Sequence, residues 1–167
     1  MSETIILSQL AIKSKLKRMA IEIFENNFQE TEIVLLGIVD RGFFIAQHLA
    51  DELKSENTLK VHLGSITINK EQPLNSPVQL YSPVDLQNKA VIIVDDVANS
   101  GKTLFYALQP LMTYSFKKIQ IAVLVERQHK KYPITPDYIG ISVSTTLQEM
   151  IYVKIGEGVN EPVAYLG

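Results

Sequence analysis

Short apolar runs alternate along the chain with segments whose apolar residues recur every three or four positions. Ser8 can cap a helix in which Ile12, Leu16, Met19 and Ile23 follow at helical spacing. "IVLLGI" (Ile33 to Ile38) is short and apolar on both faces, as in a strand covered from both sides. Phe44, Ile45, Leu49 and Leu53 mark a second amphipathic helix. "KVHLGSITI" (Lys60 to Ile68), "AVIIV" (Ala90 to Val94) and "IQIAVLV" (Ile119 to Val125) are further strands. Leu104, Leu108 and Leu111 line a helix expected over Lys102 to Tyr114, and "YIGISV" and "MIYVKI" add two short strands. Strands alternating with helices imply right-handed crossovers. The expected fold is α/β: one domain over residues 1–167, with a mostly parallel twisted sheet flanked by helices.

One long connection breaks the alternation. Asn69 to Lys89 carries Pro73, Pro77 and Pro83 among scattered polar residues. Connections of this length inside a compact domain are usually lids or binding loops, the alternative being a surface excursion.

Composition narrows the chemistry. With 46% hydrophobic and 20% charged residues the 167-residue chain suits a soluble globular domain. A net charge of −2 argues against wholesale polyanion binding but permits a local basic face, such as Lys13, Lys15, Lys17 and Arg18 on the first helix. That run is equally readable as a solvated helix face. The absence of cysteine excludes disulfides, thiolate nucleophiles and zinc–cysteine sites. No apolar run approaches the roughly 18 residues of a membrane span, and the first residues do not read as a signal peptide. A cytoplasmic protein with no membrane partner is expected.

The chemically informative stretch is "VIIVDDVANSGKTL" (Val91 to Leu104). It ends in the Gly-Lys-Thr of a nucleotide-binding loop, but Asp96 stands where such a loop needs its first glycine. At the carboxyl end of a strand, the backbone N–H groups of Asn99 to Thr103 and the start of a helix favour an anion. Ser100 and Thr103 add hydroxyl donors, and Gly101 permits close approach. Asp95 and Asp96 oppose an anion, since a phosphate some 4 Å from a carboxylate is repelled by roughly 1–4 kcal/mol. The ligand must show those acids hydroxyls or a divalent cation. A sugar phosphate such as ribose 5-phosphate satisfies both halves.

Four apolar residues, two acids, a variable stretch and then hydroxyl-Gly-x-Thr resemble the phosphoribosyl-pyrophosphate loop of type I phosphoribosyltransferases. "LLGIVDRGFFIAQHLADEL" and "IQIAVLVERQHKKYPITPDYIG" resemble the bifunctional pyrimidine-operon attenuator and uracil phosphoribosyltransferase family, over about Ile5 to Ile155. The resemblance implies that Asp95 and Asp96 bind the ribose 2- and 3-hydroxyls. It implies that Val97, Ala98, Asn99, Ser100, Gly101, Lys102 and Thr103 form the loop around the 5-phosphate. Val39, Asp40, Arg41 and Gly42 match the pyrophosphate loop, with Arg41 as a charged clamp that could instead pair with Asp40 or Asp51. Residues 69–89 match a mobile lid. Residues of about 127–155 match a hood, with Val125, Arg127, Tyr138 and Ile139 near the nucleobase.

The implied activity is transfer of phosphoribose from phosphoribosyl pyrophosphate to a nucleobase, uracil first, giving UMP in pyrimidine salvage. Mg²⁺ would be held mainly through the substrate's pyrophosphate, and no catalytic histidine is required. Relatives imply a homo-oligomer, dimer or higher, which the Phe43-Phe44 pair could serve. The alternative is an RNA-binding attenuator that senses UMP or UTP through the same pocket. A P-loop ATPase and a phosphoacceptor receiver domain fit the loop less well.

The chain also departs from that family. Asn99 replaces an aromatic residue of the attenuators and an aspartate base of purine-type relatives, which argues against purines. Asp40 adds negative charge at the pyrophosphate loop. The lid lacks an arginine and paired aspartates at its base, and Gln128-His129-Lys130-Lys131 replaces Gly-His-Arg-Glu. His48 and His62 read as structural, while His129 is open to either role.

Overall fold

The computed structural model describes residues 3–56 and 58–167. The chain forms β1 (Thr4–Leu7), α1 (Gln9–Asn27), β2 (Glu32–Ile38), α2 (Arg41–Leu53), β3 (Lys60–Thr67), β4 (Gln79–Tyr81), β5 (Ala90–Ala98) and α3 (Lys102–Ala107). A 3-10 turn (Gln109–Leu111) follows, then β6 (Lys118–Arg127), β7 (Tyr138–Val143), β8 (Ile151–Lys154) and β9 (Val163–Leu166). The main sheet has the order β4-β3-β2-β5-β6-β7. Its neighbours are parallel except the edge pair β3–β4, which is antiparallel.

The apolar runs are buried on both faces because helices cover both. Ile33, Leu35, Ile92, Val94 and Leu124 face a core shared with α1 and α2. Their strand neighbours Val34, Leu36, Val91, Ile93 and Val123 face the opposite core, with Leu104, Ala107 and Leu111. This is the period-two alternation of a doubly covered sheet. Ser8 caps α1 as expected, its Oγ accepting from the Ala11 N–H at 3.3 Å.

The topology dictates where a ligand can enter. From β2 the chain crosses through α2 to β3 on one side; from β5 it crosses through α3 to β6 on the other. Between the carboxyl ends of the adjacent strands β2 and β5 the connections diverge and leave a crevice, the switch point of an open parallel sheet.

Three expectations are corrected. The helix expected over Lys102 to Tyr114 ends at Ala107 and passes into the 3-10 turn, where Pro110 has no amide to continue the α-helical ladder. The long connection is only partly irregular. Gln79–Tyr81 pairs with β3, Leu86 is 1% exposed, and Val78, Leu80 and Val84 pack on the second core. A second sheet of order β1-β9-β8 brings together two strands from opposite ends of the chain, β1 and β9, that the hydrophobic pattern did not mark. Among the described residues, no helix is long and apolar enough to cross a membrane.

Candidate active site

Asp95 and Asp96 lie near the carboxyl end of β5 at the switch point and are 1% and 4% exposed. Two cations meet them there. Arg41, the first residue of α2, places Nε 2.8 Å from Asp96 Oδ2. Lys70, just beyond β3, places Nζ 3.0 Å from Asp95 Oδ1 and 3.5 Å from Asp96 Oδ1. Asp95 Oδ1 also accepts from the Asp96 N–H at 2.9 Å. α2 can approach this closely because residue 42 is glycine: a Cβ there would lie 2.5 Å from the Val94 carbonyl oxygen and 2.9 Å from Asp95 Cα.

The pair's electrostatics are lopsided. Burial first, then the charge of Asp96, pushes Asp95 up to about 8, although Lys70 pulls the other way. Desolvation outweighs the ion pair because the carboxylate is almost wholly removed from water. Burial also pulls Lys70 down, but the charges of Asp95 and Asp96 more than offset it and hold the ammonium above its usual range.

The loop after the acids makes a small concavity of about 50 Å³ lined by Val97 to Leu104. That is room for a few water-sized groups, the scale of a tetrahedral anion. Gly101 adopts φ +84°, a left-handed conformation that glycine takes without strain. Ser100 fixes the loop: its carbonyl accepts from the Lys131 and Tyr132 N–H groups at 3.0 and 3.1 Å, and its Oγ accepts from the Lys102 N–H at 3.3 Å. With α3 only six residues long, the loop's own N–H groups count for more than a helix dipole.

A larger cavity of about 500 Å³ adjoins this loop, between Asn99, Ser100 and Lys131 on one side and Arg127, Leu147 and Met150 on the other. Asn99 Oδ1 is buried there without a hydrogen-bond partner. Arg127 is 7% exposed and holds the far wall together: Nε donates to Thr145 Oγ1 at 2.7 Å and Nη2 to the Thr146 carbonyl at 3.0 Å. His129 Nε2 lies 2.8 Å from the Thr145 carbonyl oxygen. A third cavity, about 470 Å³, lies on the Arg41 side and is lined by Asp40, Arg41, Phe44 and the Val153–Glu157 stretch. The Val39–Asp40 peptide bond beside it is cis.

The structure therefore brings together Asp40, Arg41, Gly42 and the loop from Asp95 to Thr103. It does not bring all the nucleobase candidates with them. Val125 is wholly buried in the α1–α2 core, and Tyr138 is 2% exposed with its hydroxyl donating to Gln120 at 2.8 Å. Ile139 packs on the opposite core. Only Arg127 of the four lines the cavity. Arg41 pairs with neither Asp40 nor Asp51 but with Asp96.

Several basic residues sit away from the crevice. Arg18, though exposed, is committed to the carbonyls of Ile139 and Gly140 at 2.9 and 2.7 Å and to Glu22, while Lys13 and Lys17 are exposed and Lys15 is half-buried. His62 pairs with Glu32 at 2.8 Å at the amino end of the sheet, and His48 Nδ1 lies 2.8 Å from the Phe44 carbonyl oxygen. Glu32 is held below its usual range by hydrogen bonds from Lys89 and His62.

The phosphoribosyl transferase domain family matches residues 2–162. The chain belongs to the phosphoribosyltransferase family.

It is 38% identical over 165 residues to the bifunctional protein PyrR of Clostridium novyi, covering 93% of this chain and 92% of that protein. It is 34% identical over 171 residues to the bifunctional protein PyrR of Halalkalibacterium halodurans, covering 94% of each. Among solved structures, the hypoxanthine phosphoribosyltransferase of Trypanosoma cruzi superposes with a TM-score of 0.78 at 17% identity over 98% of this chain and 96% of that one. A hypoxanthine-guanine phosphoribosyltransferase of Bacillus anthracis gives 0.73 at 20% identity over 99% of both chains. At those identities the two structures establish a shared type I phosphoribosyltransferase fold, and with it the mixed sheet read from the sequence.

Lys70 is the site residue that sequence reading missed. Its signal was available: a lysine two residues past an apolar strand, at the same sheet edge as the acids.

Proposed function

We propose that this phosphoribosyltransferase transfers the 5-phosphoribosyl group of phosphoribosyl pyrophosphate to uracil, releasing pyrophosphate and forming UMP. One observation carries the reading: the buried Asp95–Asp96 pair stands directly before the Ser100–Thr103 anion loop, so one turn of chain meets both ends of a pentose phosphate. The 5-phosphate takes the loop's N–H and hydroxyl donors. The ring hydroxyls donate to the acids.

The reaction breaks the bond from C1 to the pyrophosphate oxygen and forms a bond from C1 to a ring nitrogen of the base. Positive charge develops on the sugar and negative charge on the leaving group. The acids, when ionised, offer negative charge beside the ring, and Arg41 offers positive charge on the side of the Asp40–Gly42 loop, where the pyrophosphate is assigned. The cavity between Asn99 and Met150 is assigned to the base, and its size suits a pyrimidine ring with room for adjustment. Segment 69–89 would cover the bound substrate and exclude water, and residues 127–155 would form the hood. The same reading expects a homo-oligomer in the cytoplasm.

Two carboxylates with no third acid or histidine suit Mg²⁺, which keeps water and substrate oxygens as most of its ligands. Among the described residues no group of three or more His, Cys, Asp or Glu converges on a metal position. Bound with substrate, Mg²⁺ would supply positive charge to the departing pyrophosphate, with Asp95 and Asp96 as the protein groups able to hold it.

The test is incubation with phosphoribosyl pyrophosphate, Mg²⁺ and each common nucleobase, with separation of products. UMP as the dominant product supports the reading. Turnover of a purine in preference to uracil overturns the assignment of the base, and no nucleotide from any base overturns catalysis.

A second role, RNA attenuation, draws support from the exposed Lys13 and Lys17 and from relatives named bifunctional. K13E with K17E should flatten the log–log salt dependence of binding to a leader hairpin. An unchanged slope removes α1 from that role.

A further inference from the structure

Two contacts fasten the start of segment 69–89 to the site. Lys70 Nζ reaches Asp95 and Asp96 at 3.0 and 3.5 Å. One residue on, the Glu71 carbonyl accepts from Lys102 Nζ at 3.1 Å. Lys102 opens α3 directly after the anion loop, so the acids and the loop grip the same dipeptide. Beyond it, Pro73 is buried, Leu74 to Pro77 are exposed, and Val78 packs on the second core. Residues 70 and 71 are thus the clasp of a strap whose middle stands in solvent.

The clasp occupies valuable oxygens. Asp95 Oδ1 already accepts from the Lys70 ammonium and the Asp96 N–H. Asp96 has Arg41 on one oxygen and Lys70 near the other. A sugar hydroxyl that donates to Asp95 Oδ1 or to either Asp96 oxygen competes with a charge-assisted contact, a stronger bond than one between neutral groups. An anion that only fills the loop meets no such obstacle, and it gives the ammonium no reason to leave.

We propose that Lys70 is an internal occupant of the alcohol-binding half of the site. A ligand that carries both a phosphate and neighbouring hydroxyls displaces its ammonium and opens the clasp, whereas phosphate alone seats in the loop and leaves the clasp shut. Lys70 is in this sense a specificity-determining residue: it couples entry of a whole pentose phosphate to release of the strap, which is then free to fold over the bound ligand, and it denies that release to inorganic phosphate. For its ligand the inference rests on the sugar-phosphate reading given above.

The ammonium itself reports the state of the clasp. The full-length protein is treated briefly with a water-soluble acylating reagent, and modification of Lys70 is read by mass spectrometry against exposed Lys13. Samples are ligand-free, with UMP, and with inorganic phosphate, the occupancy of each being set by calorimetry. Lys70 is expected to react slowly alone and with phosphate, and several-fold faster with UMP. In D95N/D96N it is expected to react fast without any ligand, because the acids are what hide it. Slow reaction in D95N/D96N overturns the clasp. If UMP binds and Lys70 stays protected, displacement is overturned while the sugar-phosphate reading stands. If calorimetry shows that UMP does not bind, that reading falls and the displacement falls with it.

Discussion

Arg41 Nε and Asp96 Oδ2 stand 2.8 Å apart, joining the first residue of α2 to the carboxyl-terminal part of β5 across the sheet's switch point. The contact ties the loop assigned to pyrophosphate to the acids assigned to the sugar. Charge at one subsite is therefore felt at the other.

The ionisation of Asp95 sets a pH dependence. Its pKa, raised to about 8 by burial and then by Asp96, means that the folded protein keeps a proton that the unfolded chain releases near 4. The folded state thus binds more protons across that window, and this group's stabilising contribution is lost as pH rises from about 4 to 8. Sugar hydroxyls need the ionised acid, so the affinity for UMP should move the opposite way. From pH 7 to pH 9 it should strengthen by about tenfold, a range above the phosphate's own second pKa of about 6. Calorimetric titration of D95N should show weak binding with little pH dependence, and thermal denaturation at pH 8 should give a Tm no lower than wild type.

Gly42 is a steric prediction. An alanine Cβ would press on the Val94 carbonyl and Asp95 Cα, both backbone, so no side chain can turn aside to relieve it. G42A should cost on the order of 1–3 kcal/mol in denaturant unfolding. Because the strain falls between Arg41 and Asp95, the remaining folded protein should also show a raised KM for phosphoribosyl pyrophosphate.

Arg127 predicts a split between the two substrates. It donates to Thr145 and Thr146 and shapes the wall of the larger cavity without touching the anion loop. R127M leaves those acceptors without their donor and should cost about 1–3 kcal/mol of stability. In steady-state kinetics KM for uracil should rise several-fold while KM for phosphoribosyl pyrophosphate stays near wild type.

Much of this site was legible because it is local. The strand, the acids and Ser100–Gly101–Lys102–Thr103 lie consecutively, and their residue types state opposite demands on one ligand. The three central strands β2, β5 and β6 were legible because two-faced burial writes itself as apolar runs. What failed depended on the third dimension. β1 and β9 are four residues each and pair across the whole chain, too short for periodicity to mark. The early end of α3 follows from Pro110, a local signal that the leucine spacing outweighed in the reading. Val125 and Tyr138 were implied by the family resemblance, which matches positions but not the direction in which side chains point. Lys70 meets Asp95 only because β3 and β5 end at the same edge with β2 between them.

Parallel calorimetric titrations with UMP, 2′-deoxy-UMP and uridine test the central claim most directly, since they remove one hydroxyl or the phosphate in turn. UMP should bind tightest, with each of the other two weaker by about tenfold or more, the worth of one charge-assisted contact. Equal affinity for all three would contradict a site in which the acids read the alcohols and the loop reads the phosphate.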